Sequence, residues 1–350
     1  MENILKYVAG IDVAKKELVV CLGRIYEDLK TELYAHKTFT NNPKGFEALL
    51  LWVKKHSDQD VLLRFVMEAT GVYHEALAYF LDEQGYELSI ILPNKISNYI
   101  RTLDIKTVTD KSASEAITRF GLERKLENWK RPKELYRKLR QLSRERDQVV
   151  VERTVVKNQL HAEKSEAFPN AKTLKRIMER LKMLVKQEKE IKADMQALIS
   201  EDPEVKRQVK LICTIPGIGI LTAITILAET NGFELIRNRR QLASYAGFDI
   251  KEKQSGTSVK GKAKISKRGN KYLRKAMHLP ALAAIRSDDR AKAIFTRLVS
   301  KHGIKMKAAV AVQRKLLEMS FTIFKTLTPY NKTYLQKLPE TNKKIDLIEA

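Results

Sequence analysis

Over the first third of the chain, from Tyr7 to about Arg119, short apolar runs alternate with helical periodicities. Val8 to Ile11 and Leu18 to Leu22 read as strands, and Asp12-Val13-Ala14-Lys15-Lys16-Glu17 between them as a hairpin with an acid at its bend. Thr38-Phe39-Thr40 predicts a third strand. Asn42-Pro43 opens a helix over 45–55 whose Phe46, Leu49, Leu50 and Val53 share one face. The run Leu62 to Met67 ends in Glu68, a helix follows over 74–83, and Leu88 to Leu92 makes a last strand closed by Pro93. A three-strand meander feeding βαβ units is an α/β layer domain, placed at residues 1–121.

The period then changes. Leu174, Ile177, Leu181, Leu184, Ile191, Met195 and Leu198 recur at spacings of three and four, with Glu188 in one seam position, as a heptad pattern does. Leu135, Leu139, Leu142 and Val149 begin a seam on an upstream helix, and Phe168-Pro169-Asn170 breaks the two. Residues 122–205 therefore predict a helical coiled-coil arm, either folded on itself as a hairpin or paired with a second copy. Residues 206–330 predict a mostly α-helical domain, and 331–350 a polar tail with few apolar residues.

Charge narrows the function. Lys and Arg number 66 against 42 Asp and Glu, a net +24, so the partner expected at long range is a phosphate backbone. No run reaches the ~18 apolar residues of a spanning helix, and the N-terminus lacks a signal-peptide core, so a cytoplasmic protein without a membrane partner is expected. Cys21 and Cys213 are too few for a disulfide framework or a cysteine zinc site and read as core residues.

Against that excess of positive charge, Asp12 and Glu68 each close an apolar run, which suits hard divalent cations with oxygen ligands. Thr214-Ile215-Pro216-Gly217-Ile218-Gly219 between apolar helices resembles a helix-hairpin-helix turn, whose N–H groups receive phosphate; a plain interhelical turn is the alternative. Arg237, Arg239 and Arg240 open the most basic stretch, which continues through Lys251, Lys253, Lys260, Lys262, Lys264, Lys267, Arg268, Lys271 and Arg274. Within it Ser255 adjoins Gly256, among cations able to activate a hydroxyl or stabilise a phosphorane; an ordinary loop serine fits the same pattern. No His/Asp relay accompanies it, which disfavours a hydrolase triad. Tyr245 and Phe248 offer stacking on bases or, next to Leu242, core packing.

Gly10-Ile11-Asp12-Val13-Ala14-Lys15, Glu68-Ala69-Thr70-Gly71-Val72-Tyr73, Thr109-Asp110-Lys111 and Ser255-Gly256 before Ile265-Ser266-Lys267-Arg268-Gly269-Asn270 together resemble one family. It is the DEDD-type transposases of the insertion-sequence one-ten group, relatives of the Piv DNA invertases. The resemblance implies a RuvC-like (ribonuclease H-like) N-terminal domain with four acids and a C-terminal transposase domain with a serine. It puts catalytic, metal-holding acids at Asp12, Glu68 and Asp110 and the nucleophile at Ser255. It further implies Mg²⁺ (or Mn²⁺), double-stranded DNA, a structured non-coding guide RNA, a dimer or tetramer built through the arm, and a place at the bacterial nucleoid.

The resemblance puts the fourth acid three residues after Asp110, where Ala113 stands. This chain is therefore expected to bind nucleic acid and recombine it poorly, unless Ser114 or Glu115 compensates; natural divergence and an engineered change are both open. Nucleic-acid contacts are expected at Gly217, Gly219, Arg239, Arg240, Lys260, Lys262, Lys264, Lys267, Arg268, Lys271 and Arg274. The competing functions are a RuvC-like nuclease that uses water, a non-catalytic nucleic-acid scaffold, and an actin-like kinase, which the missing glycine-rich phosphate loops disfavour.

Overall fold

A computed structural model describes residues 3–331 except 70, 104–106, 235, 252–253, 256–258 and 261–263, and leaves out the side chains of Asn94, Gln254, Ser255, Val259 and Lys260. The chain forms two compact units, Met1–Arg131 and Pro132–Ala350.

The first unit holds β1 (Ile4–Val13), β2 (Glu17–Tyr26), β3 (Thr31–Thr40), α1 (Pro43–His56), β4 (Leu63–Glu68), α2 (Glu75–Glu83), β5 (Glu87–Ile91), α3 (Pro93–Ile100) and α4 (Asp110–Glu123). The sheet order is β3-β2-β1-β4-β5, antiparallel through the meander and parallel from β1 to β4 to β5. Alternation along β1 sorts the two faces. Ala9, Ile11 and Val13 enter one core with Phe46, Leu49 and Leu77 of α1 and α2, while Val8 packs with Val66, Ile96, Ile117 and Leu122 on the side of α3 and α4.

All three strands of the meander run longer than expected. Asp12 is not at a bend: β1 continues to Val13, because Ile11 and Val13 are both buried, and the turn shrinks to Ala14–Lys16, closed by Ala14 N–H donating to Glu17 O at 2.9 Å. β3 begins seven residues earlier than Thr38; it is an edge strand whose residues 31–37 are half-buried or exposed, so they carry no apolar alternation to read. α1 is capped by Asn42, whose side chain accepts from Gly45 N–H, with Pro43 in the first turn.

The second unit opens with α5 (Glu134–Lys164) and α6 (Ala171–Glu201), which run antiparallel, since Arg146 meets Glu188 and Gln159 meets Arg180. The seam residues Ile177, Leu184, Ile191 and Met195 are buried within the chain. Glu188, 3% exposed, holds its seam position by pairing with Arg146, Arg153 and Lys192. Then come α7 (Pro203–Ile212), α8 (Ile220–Thr230), α9 (Arg239–Ala246), the short pairs β6 (Ile250–Lys251) with β9 (Lys264–Ile265) and β7 (Gln254–Ser255) with β8 (Val259–Lys260), α10 (Lys271–Ala276), α11 (His278–Ser287), α12 (Asp289–His302) and α13 (Lys305–Thr326). One apolar cluster joins α5 and α6 to the later helices. Of the tail, residues 332–350 lie outside the described residues.

Candidate active site

Glycine sets the site's architecture. A Cβ on Gly10 of β1 would lie 2.2 Å from Thr118 Oγ1 and 2.5 Å from Thr118 N, and a Cβ on Gly121 of α4 would lie 2.8 Å from Val8 Cγ1 and 2.9 Å from Val66 Cγ2. So α4 rests directly on β1 and β4, two residues having given up their side chains for it. Gly121 lies over Val8 and Thr118 over Gly10, so the helix runs opposite to β1 and its first residue, Asp110, comes toward Asp12. Asp12 shares the face of Val8 and Gly10. In the parallel register Ile11 opposes Met67, which brings Glu68 to the level of Asp12 on the next strand, with the parity of Val66.

The electrostatics agree. Burial and, after it, the charge of Asp110 push the Asp12 carboxyl above its ordinary value, and the Val13 backbone hydrogen bond offsets part of this. Asp110 opens α4 beside a cap in which Thr109 Oγ1 accepts from Ser112 N–H at 3.2 Å and Ser112 Oγ accepts from Thr109 N–H at 2.8 Å. Among the described residues no group of three His, Cys, Asp or Glu side chains is gathered tightly enough to hold a metal ion. The donor chemistry still suits one. Two carboxylates whose charges oppose each other, with a third at the adjoining strand end, are hard oxygen donors whose repulsion a divalent cation relieves.

Both suggested replacements for the fourth acid are engaged elsewhere. Ala113, one turn along from Asp110, is half-buried. Ser114 is fully buried, with its hydroxyl donating to Lys111 O at 2.7 Å, and Glu115 is paired with His36 of β3 at 3.1 Å.

Asn41 was not legible as a site residue. Its side-chain amide donates to Ala14 O at 2.9 Å and to Tyr73 O at 3.1 Å, so it ties the turn after Asp12 to the loop after Glu68. An asparagine ahead of an Asn-Pro helix start looks like part of the cap.

The Ser255 backbone lies in β7, opposite Val259. The base of this segment is closed by Ser266 N–H to Asp249 O at 2.7 Å and Lys267 N–H to Gly247 O at 3.1 Å. Arg239, Arg240, Lys264, Lys267, Arg268 and Lys271 are exposed. Arg274 differs, since it donates to Ala246 O at 2.7 Å and closes α9. Lys253, Gly256, Gly261 and Lys262 lie outside the described residues. Gly217, at φ +85°, has Pro280 O 2.3 Å from the position of a Cβ, so packing against α11 requires this glycine; Gly219 faces open space. Phe248 is buried, and Tyr245 donates its hydroxyl to Glu229 O at 2.8 Å.

Two family models match the chain: "Transposase" of the DEDD IS110 type over residues 9–169, and "Transposase IS116/IS110/IS902 family" over 209–296. The chain belongs to the IS110-type DEDD transposases. It is thus an enzyme that recombines DNA. This transposase is 29% identical, over 93% of its length and 98% of theirs, to the pilin gene-inverting proteins of Moraxella bovis and Moraxella lacunata. It is 26% identical over 41% of its length to the "Insertion element IS110 uncharacterized 43.6 kDa protein" of Streptomyces coelicolor, of which it spans 34%. T. thermophilus RuvC in complex with a Holliday junction substrate overlays 35% of the transposase and 99% of RuvC, at 12% identity and a TM-score of 0.27. No helix among the described residues is long and apolar enough to cross a membrane.

Proposed function

We propose that the transposase cuts and rejoins double-stranded DNA through a covalent link to Ser255. The Ser255 oxygen gives up its proton and bonds to phosphorus, while the bond from phosphorus to one strand oxygen breaks and that oxygen takes up a proton. A hydroxyl of a second strand then reverses the exchange and frees the serine. Asp12, Glu68 and Asp110 are the residues that would hold Mg²⁺, or Mn²⁺, which when bound withdraws charge from the scissile phosphate. The exposed cations Arg239, Arg240, Lys264, Lys267, Arg268 and Lys271 would grip phosphates without reading sequence. A structured RNA that selects the DNA partners, and a dimer or tetramer formed through α5 and α6, complete the proposal by family resemblance.

The observation that carries it is the opposition of Asp12 and Asp110 beside the end of β4. Ala113 makes this a weakened acid set, and Ala113→Asp is expected to speed strand exchange. The deciding experiment incubates the full chain with radiolabelled DNA in Mg²⁺ and separates the products under denaturing conditions. A protein–DNA adduct lost in Ser255→Ala supports the reading. Cleavage that persists in Ser255→Ala instead assigns the attack to water.

A further inference from the structure

Outside the acid site the second unit buries a carboxylate besides Glu188 of the helical seam. Glu229, 3% exposed, sits in the apolar helix α8. A buried carboxylate costs several kcal/mol unless fully partnered, so its partners describe its purpose. Arg144 of α5 grips it with both arms, Nε donating to Oε1 at 2.8 Å and Nη2 to Oε2 at 2.9 Å. Asn270 Nδ2 donates to Oε2 at 2.6 Å, and Tyr245 Oη donates to the Glu229 carbonyl at 2.8 Å.

Asn270 is the junction. Its Oδ1 accepts from Tyr272 N–H at 2.9 Å and Leu273 N–H at 3.1 Å, and its N–H donates to Tyr245 O at 2.8 Å. Arg144 also lies over the Tyr272 ring, 4.5 Å from its centroid. Immediately upstream are the closures that start the Ser255 segment: Lys267 on Gly247, and Ser266 on Asp249, where the hydroxyl donates to Oδ1 at 2.5 Å. Gly269 fits because a Cβ there would lie 2.4 Å from Tyr245 O. One end of the segment thus hangs on Asn270, Asn270 on Glu229, and Glu229 on the long helix α5.

We propose that Glu229 is a positioning residue for the serine chemistry, holding through Asn270 the base of the Ser255 segment and fixing that base to α5 through Arg144. The proposal rests on Ser255 as the nucleophile. Glu229→Gln keeps the shape but leaves one acceptor where two were used. Asn270→Asp keeps the helix cap but replaces the bond to Glu229 by a second carboxylate.

The test uses the full chain, in its Ala113 form and with Ala113→Asp, and measures the single-turnover rate constant of adduct formation at saturating DNA, alongside amide exchange over 247–274. In both variants the rate constant should fall roughly tenfold or more. Amide exchange at the base should quicken roughly tenfold, with half-saturating DNA unchanged. A fold that is merely destabilised lowers the reactive fraction and leaves the rate constant alone. Unchanged exchange and an unchanged rate constant in both variants would overturn the proposal. If the parent forms no adduct in either form, the serine reading falls, and the exchange data alone decide whether Glu229 holds the base.

Discussion

Asp12 carries the strongest residue-level signal. Because burial and Asp110 disfavour its ionised form, the cation-free fold loses stability as pH rises from the ordinary carboxylate range through the raised Asp12 midpoint. Asp12→Asn removes that loss, so without divalent cation it should melt higher than the parent at pH 7, with the gap closing near pH 3. Carbon-13 titration of the carboxyls should show the Asp12 midpoint falling in Asp110→Asn. Gly10→Ala puts a methyl into the Thr118 backbone and should cost about 1–3 kcal/mol by denaturant unfolding, with divalent-cation binding weakened as Asp110 is displaced. The sequence offered Asp12 and Glu68 because acids ending apolar runs are conspicuous. Asp110 came only by family resemblance, since an acid at a helix start is ordinary capping chemistry. Nothing local in the sequence marks Asn41 or Glu229, because what they bind lies far away along the chain.

Among the elements, periodicity marked the long helices α5 and α6 well, since a seam of Ile and Leu over several turns has no strand counterpart. It left open whose helix fills the seam, and here the partner of each is the other. Glu188, an apparent flaw in the heptads, proves to be the register mark, held by cations from both helices. Replacing a buried, paired charge by an apolar residue of similar size is often neutral or stabilising by roughly 1–4 kcal/mol. Glu188→Leu should therefore keep or raise the melting temperature, whereas Glu188→Ala, which leaves three cations facing a gap, should lower it; thermal denaturation of the two separates register from stability. The edge strand β3 was underread for the opposite reason, because a strand with half of its surface in water writes little into the apolar pattern.

For the whole molecule, the net charge of +24 makes affinity for nucleic acid a counterion-release problem. Lys264→Ala with Lys267→Ala should weaken binding of unrelated duplexes alike and reduce the slope of log affinity against log salt by roughly 0.9 for each phosphate no longer neutralised. Filter binding from low to moderate salt reads this directly, and a weakening confined to one DNA sequence would contradict non-specific phosphate gripping. The sequence conveyed this charge and the α/β-then-helical order without ambiguity. The closeness of α4 to the sheet is hidden in the sequence, since it depends on Gly10 facing Thr118 and Gly121 facing Val8 across the layers.

That closeness has a mechanical meaning. With no side chain at Gly10 or Gly121, the helix meets the sheet there through the stiff, β-branched Thr118, Val8 and Val66, so its height above the sheet is set by close van der Waals contact. Sliding by a turn would bring Ile117 or Thr118 one way, or Arg124 or Lys125 the other, to the place Gly121 holds over Val8, which gives α4 a single notch. Whatever holds the acids apart or together, it does so on a fixed ruler.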